Sequence, residues 1–105
     1  MILRTLAALA LSAPLTALAF QLTPQQCQSL GAFAQGAAEI RDLGADRDKH
    51  IVFAMRANEG LPPELDALLR KTLEAVYASK APPADIGQTL FMRCMAAAGQ
   101  VGDII

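Results

Sequence analysis

The sequence predicts an all-α fold: a small bundle of about four helices, stapled by one disulfide and preceded by an N-terminal signal peptide. Apolar residues recur at helical spacing in four segments, and no alternating strand pattern competes with them. Pro and Gly clusters punctuate those segments where helices begin and end. Two cysteines, Cys27 and Cys94, stand near opposite ends of residues 20–105. An even cysteine count in a small exported protein reads as a disulfide.

Residues 1–19, MILRTLAALALSAPLTALA, read as the leader. One cation, Arg4, precedes an apolar run broken by Ser12 and Pro14, and Ala17-Leu18-Ala19 supplies the small residues that signal peptidase accepts. The run holds roughly 13 apolar or small residues, short of the ~20 that a membrane-spanning helix needs. Export to the periplasm and cleavage after Ala19 are therefore expected, with no membrane anchor afterwards. Residues 20–105 are then one helical domain. The full chain of 105 residues carries nine Lys and Arg against ten Asp and Glu, a formal net charge of −1. Without Arg4 the balance is about −2, which gives no electrostatic reason to expect nucleic acid or an anionic membrane as partner.

The first helix opens at Leu22-Thr23-Pro24-Gln25-Gln26-Cys27. Thr23 is a good N-cap, Pro24 suits the first helical position, and Gln26 completes a capping box. The expected apolar stripe is Cys27, Leu30, Phe33, Ala37 and Ile40. Gly31, Ala34 and Ala38 make a second, small-residue face that permits close approach of another backbone. Gly44 is the left-handed stop.

The second helix starts at Asp46 or Asp48 and carries Ile51, Val52 and Met55, with Phe53 and Ala54 beside them, ending at Asn58-Glu59-Gly60. Pro62 and Pro63 forbid a helix before them and allow one after. The third helix follows, with an expected stripe of Leu65, Leu69, Thr72 and Val76, widened by Leu68 and Leu73. A second break, Lys80 to Ile86, leads to the fourth helix over about Pro83 to Ala98. Its face holds Ile86, Leu90, Cys94 and Ala97, with Phe91 and Met95 adjacent, and Gly99 ends it. Cys27 and Cys94 thus both lie on core-facing stripes. A bridge between them closes a loop of about 68 residues and stabilises by roughly 4 kcal/mol, a large share for so small a core.

Catalytic chemistry finds little support. The only histidine is His50, and Ser29 and Ser79 sit in no nucleophile elbow. Asp46 and Asp48 bracket a helix start, where carboxylates favour the positive end of the dipole. A non-enzymatic protein without cofactor or metal is the expectation. A metal reading would rest on Asp46 and His50, four residues apart, or on the soft donors Met92, Cys94 and Met95, which suit Cu(I); a disulfide removes Cys94 from that set.

The stretch from Arg41 to His50 concentrates charge, and Arg41, Asp42, Asp46 and His50 form the candidate polar contact site. Read structurally, Asp42 or Asp46 caps the second helix while Arg41 binds the carbonyls that close the first. Asp42 at a helix carboxyl end costs about 0.3–1 kcal/mol and calls for a partner. Read functionally, the same residues contact another protein.

Cys27 early in a helix, then GAFAQGAAEIRDLG (Gly31 to Gly44), then Glu74 to Tyr77 before a Pro-rich break and a second cysteine resemble small exported proteobacterial proteins with two cysteines. The resemblance spans nearly all of residues 20–105. It implies a periplasmic helical fold and transfers no activity. Size and cysteine count are also similar to acid-stress periplasmic chaperones of the HdeA type, from which this chain departs in lacking lysine-rich tails. Small helical immunity proteins against secreted toxins share the outline. The expected function is binding of another periplasmic protein. The alternatives are an acid-stress or holdase chaperone, an immunity protein, and a copper or redox protein using Cys and Met.

Overall fold

The computed structural model describes residues 20–105. Four helices follow one another: α1 (Pro24–Asp42), α2 (Arg47–Ala57), α3 (Pro63–Ala78) and α4 (Pro83–Ala96), with a final 3₁₀ turn over Val101–Asp103. The expected leader lies outside the described residues.

α1 begins as its sequence dictates. Thr23 Oγ1 accepts from the Gln26 amide at 3.1 Å, and the Thr23 amide donates to Gln26 Oε1 at 2.8 Å. It ends in a Schellman turn at Gly44, φ +94°, whose amide donates to the Arg41 carbonyl at 2.9 Å while the Ala45 amide reaches that of Ile40 at 3.4 Å.

Burial along α1 departs from the expected stripe. Cys27, Leu30, Gly31, Ala34, Ala37 and Ala38 are buried, whereas Phe33 is half-buried and Ile40 is exposed. The cause is α4, which runs antiparallel to α1 at very close range. A Cβ placed on Gly31 would stand 2.7 Å from the Gly87 carbonyl oxygen, and one on Gly87 would stand 2.9 Å from that of Gly31. Two side-chain-free positions face each other, so the small residues take the core and the larger ones move to its edge. The Cys27–Cys94 disulfide pins the same pair of helices, with Cα atoms 5.5 Å apart.

α4 closes two residues earlier than expected. Ala98 adopts the left-handed conformation at φ +52° and Gly99 follows at φ +76°. Their amides donate to the Met95 and Cys94 carbonyls at 3.0 and 2.8 Å. The chain before α1 then crosses this turn. The Leu22 amide donates to the Gly99 carbonyl at 2.7 Å and the Val101 amide to that of Phe20 at 3.1 Å, forming an isolated antiparallel bridge between Gln21 and Gln100. The apolar tail packs rather than frays, since Ile104 is fully buried.

α3 buries Leu68, Thr72, Leu73 and Val76. Leu65 and Leu69 are only half-buried, so its inner face is centred differently from the expected stripe. The buried Thr72 hydroxyl donates to the Leu68 carbonyl at 2.8 Å, which satisfies it within the helix. α2 packs on α3 and buries only Ile51 and Ala54. Val52 and Phe53, expected on its apolar side, face outward. No helix among the described residues is long and apolar enough to cross a membrane.

Candidate functional site

The corner between α1 and α2 brings the expected polar residues together; Asp46 takes the anticipated role, whereas Arg41 and His50 take other partners. Asp46 is the N-cap of α2: its Oδ2 accepts from the Lys49 amide at 3.0 Å. Arg41 does not close its own helix. Its Nη1 donates to the carbonyls of Val76 and Ser79, both at 3.0 Å, and its Nη2 donates to that of Ala81 at 3.0 Å. These are carbonyls at the end of α3 and in the loop after it, that of Val76 also accepting from the Ser79 amide at 3.3 Å, and α3 has no basic residue in its own last turn. Asp42 is balanced by its neighbour, its Oδ1 accepting from Arg41 Nε at 2.9 Å and lying 2.8 Å from Nη2 in an ion pair. One guanidinium therefore neutralises the misplaced carboxylate of α1 and terminates α3.

His50 does not pair with Asp46. Its Nδ1 lies 2.5 Å from the Tyr77 hydroxyl of α3, and the rings meet edge to face with centroids 5.5 Å apart. Burial lowers the pKa of His50 below its ordinary value. The Tyr77 phenol is raised, first by burial, with the nearby Arg41 charge opposing and Asp46 adding. Both groups are thus held neutral, one donating and the other accepting. Tyr77 was not anticipated at the site; its position four residues past Leu73 on the α3 stripe was the available signal.

Beside this cluster, α1 and α2 enclose an open groove of about 500 Å³. Phe33 and Ile40 line it from α1 and Phe53 from α2, with Ala45, Ala54 and Ala57 as the small lining residues. Asp46, Lys49, His50 and Asn58 supply its polar lining. Phe53 is 72 % exposed and Ile40 44 %, and at the end of α1 Leu43 reaches 87 %. The soft-donor alternative fares differently. Cys94 is bonded to Cys27 and offers no thiolate, while Met92 and Met95 lie on the surface of α4. No family model, curated protein or solved structure matches this chain.

Proposed function

We propose that this chain is a non-enzymatic periplasmic protein that binds another protein in the α1–α2 groove. The observation that carries the reading is the exposure of Phe53 on the wall of a concave apolar surface edged by charged and hydrogen-bonding groups. An isolated exposed aliphatic residue needs no explanation, but a large aromatic grouped with Ile40 around a groove has the form of an interface anchor. Arg41 and Asp42 support the wall by fixing the end of α1 to α3, so their part is positioning. The periplasmic assignment is supported by the leader-like residues 1–19 and by a buried disulfide, which suits an oxidising compartment.

The test is affinity capture from a periplasmic extract by the disulfide-bonded protein, with the Phe53→Ser and Val52→Ser variants in parallel. A partner retained by wild type and Val52→Ser, and weakened about tenfold or more by Phe53→Ser, is the expected result. A partner captured equally by all three overturns the groove as the site. No partner above background overturns the binding role.

A further inference from the structure

α2 is weakly anchored for a helix of this bundle. Of its eleven residues only Ile51 and Ala54 are buried, and its packing is chiefly against α3. Gly44 and Gly60 bracket it with φ of +94° and +93°, and open space surrounds both. Such positions absorb a change of chain direction at little steric cost. Among the described residues, the close polar contact that ties α2 to another helix is His50 to Tyr77. The Arg47–Glu74 pair spans 3.9 Å on the exposed surface and holds weakly.

We infer that α2 is a proton-released flap: protonation of His50 frees it from α3 and uncovers the apolar face formed by Ile51, Ala54 and Met55. The surroundings of the ring set the direction. From α3 it meets Tyr77, and Glu74 on the same helix is in loose contact with Arg47 at 3.9 Å. From α1, Arg41 acts on Tyr77 from its place on the α3 carbonyls. From the first turn of α2, Lys49 and the N-cap Asp46 line the same groove as His50. Among the described residues no carboxylate stands within 4.0 Å of a ring nitrogen. An imidazolium formed there gives up hydration without gaining a close ion pair, and its Nδ1 can no longer accept from the Tyr77 hydroxyl.

Burial keeps the docked ring's pKa below its ordinary value of 6.5. A released α2 returns the ring to water and to that ordinary value. Released α2 therefore binds the proton more tightly, and docking is favoured above about pH 6.5 and weakened as pH falls below it. His50 is the chain's single histidine, the side-chain type whose ordinary pKa falls between neutral and mildly acidic pH. This inference is independent of what the groove binds.

Amide hydrogen exchange of the disulfide-bonded protein at about pH 7 and about pH 5.5, corrected for intrinsic exchange, tests it. The opening constant of α2 amides is expected to rise at least about threefold more than those of α3 and α4, since one proton linked to opening can change it by up to about tenfold per pH unit. His50→Asn keeps a polar atom near the place of Nδ1 but does not titrate, and should abolish the rise. Tyr77→Phe should open α2 already at neutral pH. If α2 opens in step with α3 and α4, or His50→Asn retains the wild-type response, the inference fails. Should His50→Asn not fold, the ring's own NMR titration in wild type decides: its midpoint must coincide with that of α2 opening, and separate midpoints overturn the inference.

Discussion

Arg41 carries out a task for α3 that α3 lacks the residues to perform. Its planar guanidinium offers five donors in a fixed fork, and three carbonyls and one carboxylate take up four of them. Replacing it with Met strands those carbonyls in a partly buried corner, so Arg41→Met should lower unfolding free energy by about 2–3 kcal/mol in urea titration. Arg41→Lys should recover only part, because an ammonium cannot reproduce the fork. The turn after α4 gives a second prediction. Ala98 pays the left-handed penalty that glycine avoids, and Ala98→Gly should stabilise by about 0.5–1 kcal/mol. A Cβ on Gly99 would stand 1.9 Å from the Leu22 carbonyl oxygen, so Gly99→Ala should cost about 3 kcal/mol or more by displacing that backbone. Thermal or urea unfolding of the two variants should move in opposite directions. Local roles of this kind were unevenly legible. The cap at Asp46 and the stop at Gly44 involve neighbours in sequence and could be read directly. The carbonyls that Arg41 binds lie 35, 38 and 40 residues away, beyond any local pattern.

Among the helices, the pairing of α1 with α4 decides which residues become core. The small-residue face of α1 was visible in the sequence, as was its capacity for close approach. Periodicity alone also favoured the face with Phe33 and Ile40, and the choice between them was settled by Gly87 on the partner helix. That is tertiary information: a narrow groove on one helix matters only when the other presents no side chain. The same displacement of large residues from the core leaves Phe33 and Ile40 to line the groove, which explains why the candidate site was less legible than the fold. A glycine series tests the account. Gly31→Val and Gly87→Val should each cost about 3 kcal/mol or more by forcing the helices apart. Gly36 lies in the same helix with nothing within 4 Å of its would-be Cβ, so Gly36→Ala should stabilise by up to about 1 kcal/mol. If all three substitutions destabilise alike, close packing at Gly31 and Gly87 is not what sets the geometry of the pair.

For the molecule as a whole, the four-helix arrangement and the Cys27–Cys94 crosslink were legible because each rests on a strong and separate signal: helical periodicity in one case, two cysteines on inward stripes in the other. Tail packing was left open by the sequence, since burial of Ile104 depends on the bridge between Gln21 and Gln100 and on α3 lying beneath the final turn. The crosslink also determines how the molecule bears mechanical load. A pull applied between Phe20 and Ile105 enters the covalent network through Cys27 and leaves it through Cys94, so most of α1, all of α2 and α3, and most of α4 carry no tension. Only the short segments outside the bridge should stretch in a single-molecule experiment under oxidising conditions. With a thiol reductant present, the 67-residue separation between the cysteines should release a further contour of about 220–240 Å. The two cysteines thus make the groove-bearing part of the chain a shielded loop, whose helices are insensitive to forces acting on either end.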